Sequence, residues 1–163
     1  APGETGEIVF GGPHTMLGYF REPERTGKAL IDGWLHSGDV GRMDDEGYFY
    51  IVDRIKDLII RGGYNLAPSE VEAVLYTHPA VLDAAVVGIP DEKWGEAVLA
   101  VVALKSGMSA TADELHAVCR NSSLSSIKQP QRVEIVDSMP RNTIGKIDKK
   151  AVRERYWEGR RKV

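Results

Sequence analysis

The hydrophobic pattern of the chain changes near residue 54. Before that point, short apolar runs at residues 8–10 and 48–52 are separated by turn residues, which predicts strands and turns. A single short helix is expected over residues 22–30. Residues 44–47, Asp-Asp-Glu-Gly, precede alternating aromatic and aliphatic residues, an order typical of a hairpin because glycine accepts a positive φ. Residues 1–55 are therefore predicted to be rich in β-structure.

After residue 54, predicted strands and helices alternate. Apolar, largely β-branched runs predict four strands, at residues 55–60, 81–89, 97–104 and 132–136. Two helix starts are predicted by capping boxes, which are Ser-Glu-Val-Glu at residues 69–72 and Thr-Ala-Asp-Glu at residues 111–114. Apolar residues at helical spacing lie within or directly after each box. A last helix is expected to start near Asp148. These elements predict an α+β fold with a mixed sheet and about three helices.

Length and composition support a folded core. A chain of 163 residues with 42% hydrophobic content fits one domain, or one domain and a fragment of another. We favour the second interpretation, because the first apolar strand follows directly on a short polar start with neither an initiator Met nor a signal segment, and we expect another segment before Ala1.

Charge and hydropathy argue against two classes of partner. The net charge is −3, with acidic and basic residues interspersed, so the chain offers no basic field for nucleic acid or for an anionic membrane surface. The apolar stretch at residues 98–104 is far shorter than the roughly 20 residues that a membrane-spanning helix needs, and it indicates a buried strand.

Cysteine and histidine placement gives no sign of a disulfide or a structural metal. Cys119 is the only cysteine, and its apolar helical setting favours a core thiol over a nucleophile and fits a reducing, cytoplasmic location. The four histidines do not occur at metal-ligand spacing: His14, His36, His78 and His116. We therefore expect no protein-bound structural metal.

Several polar residues stand where a ligand could reach them. Lys146 follows a glycine in a loop between an apolar strand and a charged helix, so it could contact a ligand or simply be solvated. Asp39 follows Ser37 and Gly38, and its carboxylate could accept hydrogen bonds from two adjacent hydroxyls, as on a ribose, or hold its own backbone in an Asx turn.

Two further pairs also leave two interpretations open. Arg54 and Lys56 are expected at alternate positions of one strand, so they would share a face that suits an anionic ligand or is merely exposed. Gly62 and Gly63 indicate a tight turn or a close approach of the backbone to a thin ligand. The sequence contains no Gly-x-x-x-x-Gly-Lys-Ser/Thr loop, and therefore no phosphate cradle of that kind.

Three motifs in this order carry a resemblance to a known family. They are Gly-Trp-Leu-His-Ser-Gly-Asp at residues 33–39, Asp-Arg-Ile-Lys-Asp-Leu-Ile-Ile-Arg-Gly-Gly at residues 53–63 and Pro-Arg-Asn-Thr-Ile-Gly-Lys-Ile at residues 140–147. From Gly3 to Lys150, the chain resembles the C-terminal portion of the AMP-forming acyl-CoA synthetases, which are adenylate-forming enzymes.

The resemblance implies two half reactions and a role for each candidate residue. A carboxylate attacks the α-phosphate of Mg-ATP to give acyl-AMP, and the thiol of CoA then displaces AMP. Residues 1–55 would be the β-rich end of a large N-terminal domain, and residues 56–163 a mobile C-terminal domain. The implied roles are ribose binding for Asp39, nucleotide binding for Arg54, the hinge for Lys56, the CoA channel for Gly62 and Gly63, and adenylation for Lys146.

The resemblance also places the rest of the site outside these residues. The phosphate loop, the acyl pocket and the carboxylate that holds Mg²⁺ would belong to the N-terminal part, so this chain alone is expected to be inactive. Two alternatives stay open: an adenylating enzyme that loads a carrier protein or stops at acyl-AMP, and a non-catalytic α+β interaction module. Exposed strand edges in the first 55 residues could also pair with a second copy to form a homo-oligomer.

Overall fold

In the computed structural model, which describes residues 2–158, the chain divides into two compact units. The first unit ends at Lys56 and the second begins at Asp57. The boundary of the predicted domains, 1–55 and 56–163, stays a prediction about a longer protein.

The first unit is an antiparallel sheet built around one long strand. Its elements are β1 (Thr5–Phe10), α1 (Pro23–Ala29), β2 (Leu30–Ile31), β3 (Trp34–Met43) and β4 (Phe49–Arg54). Strand β3 pairs with β1, β2 and β4. The predicted hairpin between β3 and β4 is present: Asp44 Oδ1 accepts the amides of Glu46 and Tyr48 at 3.0 and 2.9 Å, and Gly47 has φ +88°.

The segment after β4 differs from the predicted strand over residues 55–60. Residues Ile55–Asp57 form a 3-10 turn, and a strand resumes only at β5 (Ile59–Arg61). Arg54 therefore ends a strand while Lys56 lies in a turn, so their expected common strand face is wrong. β-Branched residues favour extended backbone locally, but strand pairing ends at Arg54 and starts again only at Ile59, so residues 55–57 have no strand partner to hold them extended.

The second unit contains the mixed sheet that the sequence predicts. Besides β5, its strands are β6 (Tyr64–Leu66), β7 (Val81–Asp91), β8 (Gly95–Leu104) and β9 (Arg132–Val136). Strand β8 pairs with β7 in antiparallel fashion along its whole length and with β9 in parallel fashion. It also meets β5 where Gly95 pairs with Arg61.

Within the described part of the second unit, three helices cover the two faces of this sheet. They are α2 (Pro68–Leu75), α3 (Ala112–Arg120) and α4 (Lys149–Glu154). Helices α2 and α3 pack on one face through Val71, Leu75, Leu115 and Cys119, and α4 packs on the other through Val152. Because both faces are covered, β7 and β8 are apolar at almost every position.

The two predicted capping boxes have different outcomes. At α3 the box is confirmed, because Thr111 Oγ1 accepts the Glu114 amide at 3.2 Å and the Glu114 carboxylate accepts the Thr111 amide at 2.7 Å. At α2 the box is wrong: the helix begins at Pro68, so Ser69 already lies in the first turn. Proline fits the first helical position, where an amide would have no partner in the helix.

The core position of Cys119 is confirmed. Its side chain is fully buried between α3 and the sheet, and burial raises the pKa of the thiol because the thiolate would be desolvated. In residues 2–158, the structure has no helix that is both long and apolar enough to cross a membrane.

Gly88→Ala is expected to destabilise the second unit. Gly88 is buried in β7, and a Cβ there would overlap the carboxylate of Glu96 and lie 3.2 Å from Ile59 Cγ2. Overpacking of this kind costs about 1–3 kcal/mol. Urea unfolding followed by circular dichroism measures the loss. Gly6→Ala, in a strand with no atom within 4 Å of the new Cβ, is the control. Equal midpoints for the two variants would contradict the expectation.

Candidate functional site

Lys146 lies on a tight hairpin between β9 and α4. Arg141 and Ile147 pair as an isolated antiparallel bridge, and the Asp148 amide donates to the Pro140 carbonyl at 2.8 Å. Asp148 also caps α4 by accepting the Ala151 amide at 3.1 Å. The glycine-preceded loop that the sequence predicts is therefore a closed hairpin with a helix starting at its exit.

The backbone of Lys146 is hydrogen-bonded on both sides. Its amide donates to Asn142 Oδ1 at 3.0 Å, and its carbonyl accepts the Asn142 amide at 2.8 Å. Asn142 Oδ1 also accepts the Ile144 amide at 3.1 Å, and Gly145 takes φ +80°, which favours glycine. The lysine side chain is exposed and has no ion-pair partner within residues 2–158. Lys146 thus combines a fixed backbone with an accessible ammonium group.

A second contact anchors the chain just after the hairpin. Lys149 Nζ lies 2.7 and 2.9 Å from the two carboxylate oxygens of Glu72 on α2, and Glu72 Oε1 also accepts the Val86 amide of β7 at 2.8 Å. Glu72 was expected to complete the capping box of its own helix. It instead joins α2, β7 and α4, three elements that are distant in sequence.

Gly62 and Gly63 form the turn between β5 and β6. Arg61 pairs with Tyr64, which leaves the two glycines at φ +57° and +83°, the signs of a type I′ hairpin. A Cβ on Gly62 would lie 2.8 Å from Trp94 Cε3, whereas a Cβ on Gly63 would have no atom within 4 Å. The turn requires both glycines, and the space beside Gly63 is open. Trp94 was missed, because nothing in the sequence relates it to this turn.

Asp39 and Arg54 lie opposite each other in the β3 and β4 pairing. Arg54 Nε donates to Asp39 Oδ1 at 3.1 Å, and the Asp39 side chain is 28% exposed. The Asp39 amide donates to Ser37 Oγ at 3.0 Å, so the serine hydroxyl holds the local turn. The structure therefore brings these two predicted residues together at one edge of the first unit.

Glu7 orders the segment in front of Asp39, and sequence reasoning missed it. Its carboxylate lies 2.7 Å from His36 Nδ1 and accepts the Gly38 amide at 3.0 Å. The His36 hydrogen bond, with a smaller part from Gly38, lowers the pKa of the Glu7 carboxyl. Glu7 lies 29 residues before His36 in the sequence, so only the pairing of β1 with β3 shows its role.

Lys56 is exposed in the 3-10 turn at the end of the first unit. Its predicted hinge role stays a prediction, as do the roles of the other candidate residues. In the described residues, no group of three or more His, Cys, Asp or Glu side chains is placed to hold a metal ion.

Comparison with known proteins gives consistent matches. The family model of the AMP-binding enzyme C-terminal domain matches residues 70–146. Over 96% of its length, the chain is 49% identical to a medium/long-chain-fatty-acid–CoA ligase, FadD8, of Mycobacterium tuberculosis (strain ATCC 25618 / H37Rv). Over 99%, it is 45% identical to a fatty acid–[acyl-carrier-protein] ligase, ScoC, of Streptomyces coeruleorubidus. The chain spans only 28% and 31% of these two relatives.

One solved structure is similar to this chain both in fold and in sequence. ATP-bound MatB from Rhodopseudomonas palustris superposes with a TM-score of 0.88 at 38% identity, over 96% of this chain and 31% of that chain. The predicted α+β fold and the predicted family are thus confirmed. The chain belongs to the AMP-binding, adenylate-forming enzymes and carries their C-terminal domain.

Proposed function

We propose that the chain is the C-terminal part of an ATP-dependent acyl-CoA ligase. A carboxylate would attack the α-phosphate of ATP and release pyrophosphate, and the CoA thiol would then attack the acyl carbonyl and release AMP. The observation that carries this proposal is Lys146, whose backbone is bound on both sides while its ammonium group is exposed.

Lys146 would serve the first half reaction. Adenylation gathers negative charge on the oxygens around the α-phosphorus, and a compact ammonium on a flexible stem can meet several of these oxygens. The Asn142 hydrogen bonds fix where that stem begins, which reduces the reorganisation needed when the substrate is bound.

Asp39 and Arg54 would bind the nucleotide. A carboxylate can accept hydrogen bonds from both ribose hydroxyls, and the Arg54 contact at 3.1 Å gives the Asp39 carboxylate a defined orientation. Mg²⁺ would come with ATP, held mainly by residues outside this chain.

The second half reaction would use the turn at Gly62 and Gly63. The open space beside Gly63 suits the narrow pantetheine arm of CoA, for which a side chain would be an obstacle. Lys56, the last residue of the first unit, would be the hinge between the residues 1–55 and the mobile domain of residues 56–163.

The rest of its own chain would be the main protein partner. Several large apolar side chains of the first unit are exposed, among them Phe10, Trp34 and Phe49, and a larger N-terminal domain would cover them. The isolated chain would therefore be inactive. The free, buried thiol of Cys119 supports a reducing, cytoplasmic location.

The overall activity is tested by AMP release from the full-length polypeptide that contains this chain. With a panel of carboxylic acids and ATP, we expect AMP release that needs both an acid and CoA. Release that needs a holo carrier protein in place of CoA would instead identify a carrier-loading enzyme. No release with any acid would favour the interaction module.

Lys146→Ala is expected to impair acyl-AMP formation selectively. Loss of a preorganised charge costs about 10²- to 10³-fold in rate. Pyrophosphate exchange measures this step, and thioester formation from supplied acyl-AMP should be spared. Lys150→Ala, which removes an exposed lysine of α4 that pairs with Glu154 at 3.6 Å, is the control and should keep both rates. Equal losses in both half reactions of Lys146→Ala would refute the role.

Gly63→Leu is expected to block CoA transfer while pyrophosphate exchange continues. A loss of about tenfold or more in thioester formation is expected, equivalent to about 1.4 kcal/mol. Leucine at φ +83° also strains the turn. Gly107→Leu, at φ +75° with no atom within 4 Å of its Cβ, carries similar strain elsewhere and is the control. The channel role of Gly63 is refuted if Gly63→Leu lowers pyrophosphate exchange as much as CoA transfer. It is also refuted if Gly63→Leu and Gly107→Leu lose equal shares of CoA transfer.

A further inference from the structure

Arg141 connects the Lys146 hairpin to the central sheet. Its Nη1 donates to the Gly145 carbonyl at 2.8 Å, and its Nη2 donates to Asp83 Oδ2 at 2.6 Å. Gly145 immediately precedes Lys146, and Asp83 belongs to β7. One guanidinium group therefore spans the hairpin and fastens its tip to a strand.

The base of the hairpin is anchored independently of Arg141. Met139 is buried against the α4 face of the sheet, and Ile147 packs on the same cluster. Lys149 is held by Glu72 at 2.7 Å just beyond the hairpin. Loss of Arg141 would therefore leave both ends of the hairpin attached while it frees the tip, where the reactive lysine begins.

The geometry of this contact suits a positioning role. A planar guanidinium with fixed donors can hold two acceptors in a defined arrangement, which a single ammonium cannot do. The Asp83 side chain is only 15% exposed, so its position is set by β7. The Asn142 hydrogen bonds fix the backbone of Lys146 within the hairpin, and Arg141 fixes the hairpin relative to the sheet.

We propose that Arg141, held by Asp83, is a positioning residue that places Lys146 for adenylation. This inference rests on the proposed function of Lys146. The Arg141 guanidinium donates to the Gly145 carbonyl and to the Asp83 carboxylate, and its proposed role needs no contact with the substrate. Its removal should lower the rate of the lysine-dependent step only, because the thioester step is assigned to other residues.

The chain contains a matched control pair. Arg132 and Glu134 of β9 lie 2.6 Å apart, the same separation as Arg141 and Asp83, and the Arg132 side chain is 60% exposed. Arg132 has no contact with the hairpin among the described interactions. Arg132→Ala therefore removes an arginine that lies close to a carboxylate in the same sheet, and it leaves the hydrogen bonds of the Lys146 hairpin in place.

The kinetic test uses the full-length polypeptide. Arg141→Ala is expected to lower kcat for pyrophosphate exchange by about 10- to 100-fold, because small displacements of a reacting group have effects of this size. KM for ATP and thioester formation from supplied acyl-AMP should change by less than about twofold. Asp83→Asn should act in the same direction, Arg141→Lys should restore only part of the rate, and Arg132→Ala should leave both steps unchanged.

A double variant tests whether Arg141 acts through Lys146. In the Lys146→Ala background, adding Arg141→Ala should lower the rate of pyrophosphate exchange further by less than about twofold, because the group that Arg141 positions is already absent. Additive losses, or equal losses in the two half reactions, would overturn the positioning role and indicate a general structural effect.

Hydrogen exchange measured on the full-length polypeptide separates this inference from the proposed function. Arg141→Ala should speed exchange of the Lys146 amide by at least about tenfold, and Arg132→Ala should not. An unchanged hydrogen-exchange rate of the Lys146 amide in Arg141→Ala would overturn the positioning role of Arg141. Normal pyrophosphate exchange in Lys146→Ala alone would overturn the proposed role of the lysine, whatever the amide result.

Discussion

The pairing of β7 with β8 is the interaction on which the second unit depends. The two strands pair from Val81 with Leu104 to Asp91 with Gly95, and helices bury both of their faces. Because backbone groups in such a buried pair have no access to water, they must bond to each other, which fixes the register. The turn at Gly62 and Gly63 and the hairpin of Lys146 are both hydrogen-bonded to this pair of strands or to the residue beside it.

Each fastening uses a polar group of β7, of β8 or of the residue just before β8. The Gly62 amide donates to the Trp94 carbonyl at 2.8 Å beside the start of β8, and buried Glu96 accepts the Ile60 amide at 3.1 Å. On β7, Asp83 holds Arg141. The glycine turn and the lysine hairpin thus lie outside a rigid sheet while their bases are fixed to it, an arrangement that suits loops whose side chains or free space meet a ligand.

The sequence predicted what local pattern can determine. The limits of β9, the capping box of α3 and the buried run in β8 followed from hydrophobic spacing and turn chemistry, which act over a few residues. The errors arose where a distant partner overrode a local preference. Residues 55–57 form a turn although their pattern favours a strand, and Glu72 contacts Val86 and Lys149 although its spacing from Ser69 favours a cap.

The candidate site shows the same division. Three motifs, read from the sequence alone, indicated the family and singled out Lys146, Asp39, Arg54 and the two glycines. Only the tertiary structure associated Arg141 with Asp83, Glu7 with His36 and Trp94 with Gly62, because these pairs are separated by about 30 to 60 residues. Sequence spacing encodes hydrogen bonds within a turn or a helix, but strand register and packing decide which distant side chains meet.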